Sequence, residues 1–181
     1  MCETMINNIG IFCSASSELE TICYEEVEKF GKWIGENKKT LVYGGSKCGL
    51  METIASAVHS NGGEVIGVIP KNFLKHSLAS EHISKLIISE DLNDRKRIMY
   101  DNSDVIVILP SGIGTLDELF TILATNSLGF THKKIILWNI NDYWNSLIAL
   151  LNDLHDKKTI KKDVTQIFKC VHSFNDLINE I

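Results

Sequence analysis

The stretch Leu109-Pro-Ser-Gly-Ile-Gly-Thr-Leu-Asp-Glu118 holds the residue types from which a phosphate-ester site can be built. It follows Val105-Ile-Val-Ile-Leu109, an apolar run as short and β-branched as a buried parallel strand requires. Small residues come next, and then Leu116, Leu119, Phe120 and Leu123 recur at helical spacing. A strand, a small-residue loop and a helix start make an anion site, because free backbone N–H groups and the positive end of the helix dipole face one point. The pattern puts Asp117 and Glu118 in the first helical turn, so a carboxylate is expected beside the bound anion.

Thr115-Leu-Asp-Glu118 has two readings, and the sequence leaves both open. As S/T-x-x-E it is a capping box, in which the acid reaches back to the N–H of the cap residue. As chemistry, Glu118 is an acid or base placed next to a phosphate. Asp94-Arg-Lys-Arg97 favours chemistry, since it lies near the start of a helix leading to the same strand. Arg95 can offer phosphate a bidentate contact or help position a leaving base. The plainer reading of an isolated arginine is a solvated helical charge.

Positioning these residues requires a frame, and the apolar pattern supplies one. Strands are expected at 9–13, 40–43, 64–69, 85–88, 105–109 and 134–138. Helices are expected at 18–37, 49 to about 60, 92–102, 115–128 and 142–155. The first helix should bury Leu19, Ile22, Cys23, Val27, Phe30 and Ile34. Residues 71–83 fit neither pattern, and the last 25 or so suit a short strand and helix. Such alternation is that of an α/β protein with a doubly wound parallel sheet flanked by helices. The 181 residues, with only two prolines and no linker, suit one domain spanning 1–181. Ligands of such sheets bind beyond the carboxyl ends of the strands, where strand order reverses.

Three loops should open on that edge: Ser14-Ala-Ser-Ser17, Gly44-Gly-Ser-Lys-Cys-Gly49 and Ser111-Gly-Ile-Gly114. They offer Ser14, Gly45, Ser111, Gly112, Gly114 and Thr115 as candidate substrate-binding residues, with Lys96 beside Arg95. No dinucleotide fingerprint and no P-loop occurs, so a mononucleotide or sugar phosphate suits the loops better than NAD or ATP.

Composition narrows the partners. A net charge of −5 argues against nucleic acid, and the Lys157, Lys158, Lys161, Lys162 group reads as solvated surface. The five cysteines form no CxxC pair, Cys13 falls in an apolar strand, and the six histidines lack metal-ligand spacing. No apolar run nears the ~18 residues of a membrane span, and no basic-then-apolar leader opens the sequence. A reduced, cytoplasmic protein is expected.

Together these residues resemble the Lonely Guy (LOG) family of cytokinin-activating phosphoribohydrolases. The family signature PGGxGTxxE is met by Pro110-Ser-Gly-Ile-Gly-Thr-Leu-Asp-Glu118 and its Arg-Lys pair by Arg95-Lys96. Its GGGxxGLM loop is met by Gly44-Gly-Ser-Lys-Cys-Gly-Leu-Met51. Ser103-Asp104, Leu128-Gly129 and Asn141-Asp-Tyr-Trp-Asn-Ser-Leu147 extend the match, in order, over residues 9–155 or so. The resemblance implies a Rossmann-like sheet, a homodimer, no metal or organic cofactor, and cleavage of the N-glycosidic bond of a nucleoside 5′-monophosphate. AMP, or an N6-substituted AMP such as isopentenyl-AMP, is the implied substrate, with Arg95 and Glu118 matching the catalytic arginine and glutamate. An alternative on the same scaffold is a nucleotide-binding or molybdenum-cofactor carrier without catalysis. A lysine decarboxylase label, sometimes given to such proteins, finds no pyridoxal phosphate site with a Schiff-base lysine here.

Four positions depart from the family pattern. Ser46 and Ser111 replace glycines, Glu52 stands where glycine is usual, and Thr125 where tryptophan is common. If either replaced glycine needs φ > 0, its serine should cost about 1 kcal/mol or reshape the loop.

Overall fold

The computed structural model describes residues 6–74, 78–160 and 164–181, without the side chains of Val164 and Thr165. Cys2, Lys161, Lys162 and part of the unassigned segment 71–83 lie outside that set. Seven strands form one parallel sheet: β1 (Asn8–Phe12), β2 (Thr40–Tyr43), β3 (Glu64–Pro70), β4 (Lys85–Ser89), β5 (Val105–Ile108), β6 (Lys134–Trp138) and β7 (Lys169–Val171). Their order is β4-β3-β2-β1-β5-β6-β7. The chain winds outward from β1 to β4, then returns to lay β5 on the free side of β1, with Ile9 opposite Val105 and Phe12 opposite Ile108. Strand order therefore reverses between β1 and β5, and their carboxyl ends frame the expected crevice.

The expected helices are present with shifted ends. The helices are α1 (Thr21–Glu36), α2 (Gly49–Ser60), α3 (Lys71–Leu74), α4 (Leu92–Asp101), α5 (Ile113–Ser127), α6 (Asn145–Asp156), α7 (Val164–Ile167) and α8 (Phe174–Asn179), of which α3, in the segment that fits neither pattern, and α7 were not expected. A short 3-10 turn (Ile140–Asp142) precedes α6. Helix α1 starts three residues later than its apolar pattern suggests, because residues 13–20 are used as the loop above β1. Ile22, expected inside, is consequently exposed. Lys157 and Lys158 are exposed, as a solvated cluster should be.

Alternation along each strand divides the core into two layers. Ile9, Ile11, Leu41, Val105 and Val107 pack under α1 and α2 with Val27, Phe30, Ile34, Ile54 and Val58. Phe12, Val42, Val68, Ile106 and Ile108 face the other way, against Met99 of α4, Leu119, Ile122 and Leu123 of α5, and Leu147 and Leu151 of α6. At about 1.5–3 kcal/mol for each fully buried aliphatic side chain, the second layer holds α4 and α5 firmly against the sheet. The site depends on that placement. No helix among the described residues is long and apolar enough to cross a membrane.

Candidate active site

Arg95 owes its position to the way α4 begins. Asp91 is the N-cap, and its Oδ1 accepts from the Asp94 N–H at 2.8 Å. Asp94 reaches back to accept from the Glu90 N–H at 2.9 Å. These two bonds start the helix so that Arg95 lies one turn in. Its guanidinium then crosses to β3, where Nε donates to the Val68 carbonyl at 3.1 Å. Nη1 donates to Glu118 Oε1 at 2.9 Å. Gly44 makes this path possible, because a Cβ built there would sit 1.8 Å from Arg95 Nη2. The Arg95 side chain is only 12% exposed, which removes the reading as a solvated charge.

On the facing helix the capping-box reading also fails. Gly112 is the N-cap of α5, so Thr115 is its third residue and Glu118 its sixth. No acidic residue falls in the first turn, and Asp117 and Glu118 sit one turn deeper than expected. Helix formation runs to Gly112 because Leu116 N–H finds the Gly112 carbonyl at 3.2 Å. The Thr115 hydroxyl turns to the Ser111 hydroxyl at 2.8 Å instead of capping. Glu118 is thereby free to meet Arg95.

Both groups line a cavity of about 350 Å³ at the carboxyl ends of β1 and β5. Ser14, Ser111, Gly112, Gly114 and Thr115 line it too, with Cys13 and Met51. Two candidates stand elsewhere. Lys96 donates to both Asp117 oxygens, at 2.9 and 2.8 Å, and to Thr121 Oγ1 at 3.1 Å, so its ammonium is engaged outside the cavity wall. Gly45, with φ of +78° and no room for a Cβ beside Ile69, shapes the turn without lining the cavity.

Burial controls the electrostatics. Glu118 is 5% exposed, and burial pushes its carboxyl up to about 7, against the downward pull of Arg95. Asp117 adds a smaller upward push. Cys13 is the small core residue expected, its thiol pushed well up by burial and then by Glu118. A carboxyl that titrates near neutrality beside a fixed cation can take or give a proton at cellular pH. The free N–H groups opening α5 can hold an anion next to it.

The serine departures cost no backbone strain, since neither Ser46 nor Ser111 has a positive φ. Ser46 forms a bridge with Ala79, and this ties part of the unassigned segment over the loop after β2. Glu52, the third departure, pairs with His82 of the same segment at 3.5 Å.

Residues 51–181 match a family model described as possible lysine decarboxylase. A cytokinin riboside 5′-monophosphate phosphoribohydrolase of Rhodococcoides fascians is 35% identical over 145 residues, which cover 80% of this chain and 73% of that one. Another, from Arabidopsis thaliana, is 30% identical over 179 residues, covering 99% and 82%. The chain belongs to the Lonely Guy family. Among solved structures, the molybdenum cofactor binding protein of Rippkaea orientalis superposes with a TM-score of 0.74 at 22% identity, covering 98% and 96% of the two chains. That likeness is one of fold.

One member of the Lonely Guy pattern reaches the wall of the site from outside the cavity. Tyr143, within the Asn141–Leu147 motif, donates its hydroxyl to the Ser111 carbonyl at 2.8 Å across 32 residues. Its place in that motif was the only sign of this contact in the sequence.

Proposed function

We propose that the chain, as a single nucleotide-binding domain, hydrolyses the N-glycosidic bond of a nucleoside 5′-monophosphate. AMP or an N6-substituted AMP such as isopentenyl-AMP is the substrate, and free base and ribose 5-phosphate are the products. The buried Arg95–Glu118 pair, set in a cavity that opens on a helix N-terminus, carries this reading. The names of the relatives support the same substrate class.

The phosphate sits at the start of α5, where the first-turn N–H groups have no intrahelical acceptor and no side chain caps them. Gly112 and Gly114 leave open space for its oxygens. Ser14, Ser111 and Thr115 supply hydroxyls around it. Glu118 lies one turn deeper, which brings the ribose rather than the phosphate beside it. As the base departs, positive charge spreads over C1′ and the ring oxygen. Ionised Glu118 opposes that charge and takes a proton from the water that bonds to C1′. The electrons of the breaking C1′–N bond leave with the base, which ends with the proton. Arg95 holds the carboxylate in line and offers a remaining N–H to the nucleotide.

Incubating the purified protein with a panel of nucleoside 5′-monophosphates tests this, with free base read by chromatography. Base should appear from AMP or isopentenyl-AMP and not from the corresponding nucleosides. Tight nucleotide binding with no release of base from any of them would favour the carrier alternative.

The same reading includes a homodimer in the reducing cytoplasm. Ile113, Phe120 and Leu128 of α5 and its C-cap turn apolar side chains outward, as do Phe130 and Leu92. These residues, rather than the buried Leu119, Ile122 and Leu123, are available for isologous burial. A monomeric mass by light scattering at micromolar concentration would remove the dimer. Free thiols at Cys13, Cys23, Cys48 and Cys170 suit a reducing compartment.

A further inference from the structure

We infer that Tyr143 is a positioning residue for the anion cradle: its hydroxyl fixes the Ser111–Gly112 peptide so that the Gly112 N–H faces the cavity. The inference rests on the proposed function only for the identity of the anion.

The carbonyl of Ser111 and the N–H of Gly112 belong to one planar trans peptide, so they point in opposite directions. Tyr143 OH holds that carbonyl at 2.8 Å. Ser111 and Gly112 line the cavity, whereas Tyr143 lies outside it. The carbonyl is therefore drawn to the outer side, and the N–H on the same peptide turns inward, alongside the N–H groups opening α5. Nothing packs within 4 Å of a Cβ at Gly112, so no side-chain packing there fixes the peptide, while the Gly112 carbonyl is held on the next peptide by the Leu116 N–H. The Ser111 hydroxyl is held separately by Thr115. Side chain and carbonyl of one loop residue are thus pinned from two directions.

Tyr143 is itself held by an unusual backbone. Asn141 (φ 49°) and Asp142 (φ 59°) are consecutive non-glycine residues in the left-handed region. Such a pair persists only where its surroundings hold it. Asn141 Nδ2 donates to Glu20 Oε2 at 2.7 Å, tying the turn to the start of α1. Buried Asn139 accepts from the Trp144 N–H at 2.6 Å and donates to Asn145 Oδ1 at 2.8 Å, closing the turn from below. The Tyr143 ring packs edge-on against Trp144, with centroids 5.0 Å apart. The turn after β6 consequently touches both walls of the crevice, through Glu20 on the β1 side and Ser111 on the β5 side. Its rigidity aims one hydroxyl.

Tyr143→Phe keeps the ring and its packing and removes only the hydroxyl. Titrating parent and variant with ribose 5-phosphate, AMP and adenosine, beside their thermal midpoints, separates the possibilities. Affinity for ribose 5-phosphate and AMP should fall roughly 3- to 10-fold, the worth of one peptide hydrogen bond. Adenosine affinity and the midpoint should stay at the parent's values. Unchanged ribose 5-phosphate affinity overturns the inference, and so does a loss shared equally by adenosine or accompanied by a clear drop in midpoint. If the parent binds ribose 5-phosphate yet cleaves no nucleotide, the hydrolase reading falls while the ribose 5-phosphate comparison still decides Tyr143. A parent that binds no phosphate ester overturns both.

Discussion

Two ion pairs made by consecutive residues join α4 to α5, and they differ in character. Arg95–Glu118 closes at 2.9 Å and Lys96–Asp117 at 2.8 Å, so distance does not separate them. Exposure does. The Glu118 side chain is 7% exposed and that of Asp117 58%. One residue along a helix is a rotation of about 100°, enough to send one carboxylate into the cavity and its neighbour to the outer face. Desolvation raises Glu118 to about 7, which gives it chemistry. The solvated Asp117, with Lys96 and Thr121, acts as a latch that keeps the two helices in register. Two equally short contacts can thus have unequal functions, and what distinguishes them is the water each carboxylate has lost.

The sharpest way to break this contrast is to neutralise each acid in turn. Glu118→Gln should keep the fold and nucleotide binding but lower kcat at least ~100-fold, the scale of one acid–base group. Asp117→Asn should leave kcat within about 3-fold, since its exposed charge faces Lys96 and not the reacting atoms. Equal losses in the two variants, measured by steady-state base release, would erase the distinction. Should Glu118→Gln cleave at the parent rate, Asp117 becomes the acid to examine.

Perturbing the cation is expected to do somewhat less. Arg95→Ala should weaken nucleotide binding and turnover together, by roughly 10- to 100-fold in kcat/KM, because a charged contact present in both ground and transition states is lost. Gly44→Ala should move in the same direction without touching a charge, since its new methyl meets Arg95 Nη2. Parent-like kinetics in Gly44→Ala would show that the guanidinium can take another path.

Titration sharpens the comparison further. Glu118 is raised from its ordinary 4.5 to about 7, so its reactive ionised form grows as pH rises through 7. Below that value kcat should fall by about tenfold per pH unit. The residual activity of Glu118→Gln should lack this limb, whereas Asp117→Asn should keep it. A limb that persists in Glu118→Gln would assign the titration to another group.

The smallest effect concerns the latch. Lys96→Met should cost about 0.5 kcal/mol, as partly exposed ion pairs do, and lower the thermal midpoint by about 1–2 °C. A larger drop would mean that Lys96, 11% exposed, supports the helix pair more than an exposed latch can.

Much of the fold was legible because short apolar runs and amphipathic stretches alternate without interruption. The pattern at 105–109 and the small residues after it pointed to a loop at the carboxyl end of β5, and that loop does line the cavity there. Less legible was the start of α5. Thr115 and Glu118 carry a capping signature, yet Gly112 is the cap, because the helix extends back as far as its carbonyl can be used. A side-chain cap sits instead at Asp91, which accepts from the Asp94 N–H while Asp94 accepts from the Glu90 N–H, and there it places Arg95. Segment 71–83 had no periodicity to read, since what holds its later part is pairing of Ala79 with Ser46, remote in sequence.

Local sequence determined the strands and the three small-residue loops, because these follow from side-chain period and backbone permissiveness within a few residues; the pairing of the Arg-Lys step with the Asp-Glu step, 21 to 23 residues apart, did not. Tertiary structure decided which member of each step enters the cavity, how dry Glu118 becomes, and that Tyr143 reaches Ser111. Those outcomes depend on helix rotation against the sheet and on solvent excluded by residues far apart in the chain. A carboxylate's proton affinity is set by what surrounds it in space, and that surrounding exists only once β3, β2, β1 and β5 are assembled in one sheet with α4 and α5 packed on it.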